Sequence, residues 1–205
     1  LIHRDVKPSN IMLAHQGGAH DVVKVVDFGL VKRLQEDEDS DTSDGRAIKG
    51  TPHYLSPEGI ESPNEVDARS DIYALGAVGY CLLTGGTVFQ AKIAAGILME
   101  HLQTTPAPPS EARGEPIPEG LERLILACLA KDRADRPATA QALADALDQL
   151  DVPRWTRADA EQWWERYGSL VEEERESLSL RITGHTMNVV VAEPWAEEAQ
   201  STDGT

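Results

Sequence analysis

Cysteine is scarce in this chain: Cys81 and Cys128 are the only two in 205 residues. That is no disulfide framework, and two buried, reduced thiols in a cytoplasmic setting are expected. Positive charge is scarce too. Lys and Arg total 19 against 35 Asp and Glu, a formal net charge of −16. Nucleic acid as the main partner is thereby excluded, because phosphate binding needs a basic face. The longest nearly apolar run, residues 74–83, has ten members, against the roughly 18 a spanning helix requires, so no membrane span is expected. No charged-then-apolar leader opens the chain, so no secretory signal is expected. The first residue is Leu1 rather than Met, and the chain is expected to be part of a longer one.

What is present is globular in balance, with 40% hydrophobic and 26% charged residues. The length suits one ordinary domain plus a tail. Residues 11–13 and 22–26 read as short strands around a loop holding Gly17 and Gly18. Residues 35–44 carry six acidic side chains with Ser40, Thr42 and Ser43 and read as a mobile loop. After Pro63 the period becomes helical, predicting a buried helix over 72–83 and another over 91–102, then a Pro-rich loop over 105–118. Leu121, Leu124, Ile125, Cys128 and Leu129 form the stripe of an amphipathic helix. Leu143, Leu147 and Leu150 mark a further one, with Thr139 as its N-cap. The expected fold class is α+β, mainly α. Around residue 151 the character shifts, and all four tryptophans (Trp155, Trp163, Trp164, Trp195) fall in 151–205. The spacing of Trp163, Tyr167 and Leu170 or Val171 predicts a helix over 157–176, with Glu172 to Glu174 solvated. A strand over 178–182 and a disordered end are expected beyond it. The tail aromatics read as a packing or partner-binding face.

The chemistry concentrates early. If the two strands pair without a bulge about the centre of the loop 17–19, Met12 faces Val25, Ala14 faces Val23, and Asn10 faces Asp27. Two hard oxygen donors at one point suit magnesium, which takes one or two protein oxygens plus substrate phosphates. Asp5 and Lys7 lie just before Asn10. A carboxylate there can orient or deprotonate a hydroxyl, and an ammonium can neutralise a moving phosphoryl group. His15, His20, His53, His101 and His185 lack metal-ligand spacing and read as solvated or structural.

Three segments carry these residues: H-R-D-V-K-P-S-N at 3–10, D-F-G at 27–29 and G-T-P-H-Y-L-S-P-E at 50–58. In this order they resemble the catalytic loop, metal-binding loop and activation-segment end of the protein kinases. The resemblance covers about residues 1–150, the larger, mostly helical C-terminal lobe, and is similar in flavour to bacterial serine/threonine kinases. It implies transfer of the ATP γ-phosphoryl group to Ser/Thr hydroxyls of proteins, with ATP and Mg2+ as cofactors. It implies that Asp5 accepts the acceptor's proton, that Asn10 and Asp27 hold magnesium, and that Lys7 touches the γ-phosphate. Thr51 would bond to Asp5 and Lys7, and Arg4 would meet a phosphorylated activation loop at Ser40, Thr42 or Ser43. His3 and Phe28 would join a hydrophobic spine beside Gly29, Asp71 would anchor the catalytic-loop backbone, and Glu58 and Arg136 would form a buried ion pair.

Some features depart from the pattern. Ser56 stands where Ala is usual, and Ile72-Tyr73 where Val-Trp is common. No glycine-rich phosphate loop, V-A-x-K lysine or partner helix glutamate occurs in the 205 residues, so the N-terminal lobe is expected to be missing. The alternative function is a catalytically inactive remnant or regulatory interaction module. A kinase-like small-molecule phosphotransferase is disfavoured by Lys7, Thr51 and the S-P-E segment, which suit a protein acceptor.

Overall fold

The computed structural model describes residues 1–27 and 51–181, with side chains through residue 173. Phe28, Gly29, the acidic segment with Ser40, Thr42 and Ser43, His185, Trp195 and the chain end lie outside the described residues.

Packing divides the chain into two units. The first comprises Leu1–Asn10 and Val26–Val152, the second Ile11–Val25 with Pro153 onward. The hairpin thus groups with the tail rather than with the residues that flank it in sequence.

The first unit is built on helix α2. Short helix α1 (Pro57–Glu61) precedes it; α2 (Ala68–Thr84), α3 (Ala94–Gln103), α4 (Pro109–Arg113), α5 (Glu119–Cys128) and α6 (Ala140–Asp148) follow. Each boundary has a local cause. Ser56 Oγ accepts the Gly59 N–H at 3.1 Å with Pro57 at the first helical position, and Thr139 Oγ1 accepts the Ala142 N–H at 3.0 Å. Asp67 caps α2, and Gly85, at φ 72, ends it with an N–H donated to the Cys81 carbonyl. The Pro-rich stretch is not all loop. Pro109 starts α4 and Gly114, at φ 76, stops it.

Helix α2 is buried along most of its length because its neighbours wrap it. Tyr73, Ala77 and Tyr80 pack with Val88, Phe89, Ile125 and Leu129, while Ile72 packs with Cys128 and Leu143. A fully buried side chain such as Ile72 or Leu129 stabilises the unit by roughly 1.5–3 kcal/mol. Gly76 lets α5 approach: a Cβ there would stand 2.7 Å from that of Cys128.

The second unit pairs β1 (Ile11–Gln16) antiparallel with β2 (Ala19–Val25), beside helix α7 (Arg157–Arg181). The register differs by one residue from the unbulged expectation. Met12 pairs with Lys24 and Ala14 with Val22. The turn is Gly17–Gly18, both at positive φ, and β2 carries an extra residue between the Gln16–Ala19 and Ala14–Val22 pairs, where Asp21 has φ 58. Helix α7 starts where the aromatic spacing predicts and continues to Arg181, so the expected strand over 178–182 is helical through Arg181. Asp21 also anchors the tail. Its Oδ2 accepts the Trp155 indole N–H at 2.8 Å, and its Oδ1 accepts that of Trp164 at 2.7 Å.

Candidate active site

Helix α2 is the post to which the chemistry-bearing segment is tied. Asp71, in its first turn, accepts the His3 N–H at 2.7 Å and the Arg4 N–H at 2.9 Å. These two bonds hold Arg4 at φ 68, a left-handed backbone that a non-glycine residue keeps only when its surroundings enforce it. His3 is buried. Its Nε2–H donates to the Val26 carbonyl at 3.0 Å, and its Nδ1 accepts the Asp5 N–H at 3.3 Å. Both ring nitrogens have structural tasks, so His3 is not arranged as an acid or base.

Asp5, Lys7, Asn10 and Thr51 converge. Lys7 Nζ lies 3.1 Å from Asp5 Oδ2 and donates to Thr51 Oγ1 at 3.4 Å. Asn10 is buried, and its Nδ2 donates to the Asp5 carbonyl at 2.8 Å and to Asp5 Oδ2 at 3.2 Å. Asp5 and Lys7 side chains are about a quarter exposed, at 24% and 23%, so they can meet a substrate. Because its amide nitrogen serves Asp5, Asn10 has Oδ1 left as its hard donor.

Asp27 stands differently from the sequence expectation. The bulge shifts the pairing, so Asn10 is opposite Val26, whose N–H donates to the Asn10 carbonyl at 2.9 Å. Asp27 follows at once, exposed and at φ 58, which turns the chain out of the strand direction. Val26 is therefore pinned to both Asn10 and His3, and Asp27 is the next residue.

Asn10 and Asp27 each carry a hard oxygen, the kind of donor magnesium takes. Magnesium is bound in this sparing way, with waters and phosphates completing its shell.

Farther from this cluster, Glu58 and Arg136 meet in two parallel bonds of 2.7 and 2.8 Å. Arg136 also donates to the carbonyls of Ala130, Arg69 and Lys131. Burial alone would raise the Glu58 carboxyl, but the bonds from Arg136 and Ser70 override it and hold its pKa at about 2. Lys131 donates to the Glu100 and His101 carbonyls at 3.2 and 2.7 Å, over the Phe89 ring. Burial and nearby Arg136 lower its pKa to about 8.

The buried pairing of Tyr73 with His101 carries no motif. The legible sign is that His101 and Ile97, four apart, are the two buried residues of α3, so a histidine occupies a core position of an apolar stripe. The Asp21 anchor is likewise unmarked in the sequence.

The fold belongs to one class. Residues 1–147 match the protein kinase domain, and the chain belongs to the protein kinase family. It is similar to a protein from Myxococcus xanthus called serine/threonine-protein kinase pkn3, 41% identical over 161 residues, covering 75% of this chain and 28% of that protein. Serine/threonine-protein kinase A of Synechocystis is 39% identical over 153 residues, 74% of this chain and 28% of its own length. Serine/threonine-protein kinase PknB of Mycobacterium tuberculosis is 41% identical over 140 residues, 68% and 21% respectively. The chain thus spans 21–28% of the length of these three relatives. No helix among the described residues is long and apolar enough to cross a membrane.

Proposed function

We propose that the protein carrying this chain is a serine/threonine protein kinase, transferring the γ-phosphoryl group of magnesium-bound ATP to protein hydroxyls. In this reading residues 1–150 form the catalytic segment and 151–205 a tail. The observation that carries it is the Asp5–Lys7–Asn10–Thr51 cluster, an acid and an amine 3.1 Å apart beside an oriented amide oxygen. Asp5 orients the acceptor hydroxyl and takes its proton as the phosphoryl group arrives. Lys7, held by Asp5 and Thr51, neutralises charge on the moving group. Asn10 and Asp27 supply the oxygens that would hold magnesium, which when bound offsets the charge of the nucleotide phosphates. Little covalent chemistry falls to the protein, and alignment supplies most of the acceleration. A reducing, cytoplasmic setting goes with this reading, since neither Cys81 nor Cys128 is in a disulfide.

The test is phosphotransfer by the full-length protein from labelled ATP-Mg to a protein acceptor, beside Asp5→Asn. Loss of turnover by about 10²–10⁴-fold is expected in the variant, the usual worth of a positioned proton acceptor. Equal turnover of the two proteins, or none in the wild type, overturns the reading; the second result favours the interaction-module alternative.

A further inference from the structure

Helix α3 buries a histidine that the proposed chemistry does not use. His101 has no solvent exposure. The Phe89 ring meets it edge-on at 4.9 Å, and the Tyr73 ring lies at 5.6 Å. Its Nδ1 is 2.8 Å from the Tyr73 hydroxyl. Its Nε2 is buried without a formed hydrogen bond, and its helix α3 packs against the turn Pro52–Tyr54 that holds His53.

The proton can be assigned. Burial, the Lys131 ammonium and His53 lower the His101 pKa to about 4, so the ring is neutral near pH 7 and carries one proton. Burial pushes the Tyr73 hydroxyl well above its ordinary value, so it stays protonated. That hydroxyl makes no other hydrogen bond among the described residues, so it donates to Nδ1. The single ring proton is then on Nε2, a buried donor on the helix that packs against the turn holding His53.

Both ends of this bridge lead to the cluster. His53 sits in the 3-10 turn Pro52–Tyr54, whose N-cap is Thr51, the hydroxyl that Lys7 contacts at 3.4 Å. Tyr73 is two residues past Asp71, which holds the backbone of His3 and Arg4. We propose that His101 is a positioning residue for the acceptor side of the site, bracing the turn that carries Thr51 against the helix that holds the His3–Arg4 backbone just ahead of Asp5. The contacts of the bridge lead toward Thr51 and Asp71, not to the Asn10 or Asp27 side chains, so its influence falls on the alignment of Asp5 and Lys7 with the acceptor rather than on the residues that would hold magnesium. The inference rests on the phosphotransfer reading above.

Full-length protein is assayed with acceptor and ATP varied in turn. His101→Asn sets its amide near the Nδ1 position and keeps a partner for Tyr73, but falls short of His53; His101→Gln reaches to the old Nε2 position. For His101→Asn, kcat/KM for the acceptor falls about tenfold, the lower range for residues that hold reacting groups from behind. KM for ATP stays within about twofold, while the thermal midpoint falls by several degrees, as for any buried polar substitution. His101→Gln regains the His53 side but gives up the partner of Tyr73, so it keeps about the fivefold loss expected of Tyr73→Phe. Tyr73→Phe, which removes only the hydroxyl, lowers the same acceptor parameter by about fivefold, the equivalent of one ordinary hydrogen bond. Unchanged acceptor kinetics in His101→Asn and Tyr73→Phe overturn the inference alone. So do parallel losses for both substrates, the mark of plain packing. An inert wild type overturns the phosphotransfer reading, and the inference falls with it.

Discussion

The Glu58–Arg136 pair in the helical unit and the Asp21 carboxylate in the hairpin–tail unit do similar jobs under different conditions. The first joins residues 78 apart in sequence, with bonds of 2.7 and 2.8 Å. The second joins residues 134 and 143 apart, with bonds of 2.8 and 2.7 Å. Bond length therefore does not rank them. Burial does. The Arg136 side chain is 0% exposed, whereas Trp155 in the other unit is 60% exposed and the charged Asp21 beside it is only half-buried. A charge cut off from water loses much when its partner goes, while an exposed one is re-solvated. The helical unit should thus fail as a whole when its pair is broken, and the hairpin–tail contact should come apart locally. The chain carries a probe for each. All four tryptophans lie at 155 or beyond, so fluorescence reads the tail. Cys128, 1% exposed, accepts a thiol label only when the helical unit opens.

The largest effect tests the buried side. Arg136→Ala leaves Glu58 half-enclosed without its counter-charge, and also strips donors from the Ala130, Arg69 and Lys131 carbonyls. A loss of about 3–5 kcal/mol is expected. It is measured as the denaturant concentration at which Cys128 of the 205-residue chain becomes labelled. A loss below about 1 kcal/mol, the range of exposed pairs, would erase the contrast between the units.

Acid sharpens the same contrast. Glu58 has a folded pKa of about 2 against an ordinary 4.5. A lowered carboxyl stabilises the fold above its ordinary pKa, and the contribution disappears as pH falls through the folded value. Between about pH 4.5 and 2 the helical unit should lose on the order of 3 kcal/mol from this group. His101 acts in the same direction at higher pH. Its folded pKa is about 4 against 6.5, with Lys131 and His53 facing it, so stability present above 6.5 declines as pH falls toward 4. Following denaturant unfolding by the far-UV helical signal at each pH, Glu58→Gln should be less stable at pH 7 and flatter between 4.5 and 2. An unchanged slope would detach the acid response from this pair.

What the sequence made legible follows the same division. Residues whose chemistry depends on local spacing, such as Asp5, Lys7 and Asn10 within one short segment, can be read directly, and so can the α5 stripe. Asp71, Glu58 and Arg136 become readable through family resemblance, because no local pattern joins positions up to 78 apart. The hairpin register misled by one residue: nothing in the residues 19–22 announces a bulge, and Asp21 reaches φ 58 because Asp tolerates the left-handed region. That one-residue slip removes Asn10 from direct pairing with Asp27. Tyr73 with His101 was hidden for another reason, since a buried polar pair across two helices leaves no periodic trace in either.

The smallest effect tests the exposed side. Asp21→Asn keeps a residue that accepts a left-handed backbone, so the bulge survives. It keeps one acceptor oxygen where there were two, and an amide nitrogen cannot accept from an indole N–H. One of Trp155 and Trp164 therefore loses its partner, and the other bond loses its charge assistance. A local cost of about 1 kcal/mol is expected, seen as an earlier change in tryptophan emission with denaturant. Arg157, which donates to the Gly18 carbonyl at 2.9 Å, still holds the start of α7 to the turn, so docking weakens without being abolished. The Cys128 labelling midpoint should not move. If it shifts by the same amount as the emission, the two regions unfold as one, and the ranking of the two contacts by burial fails.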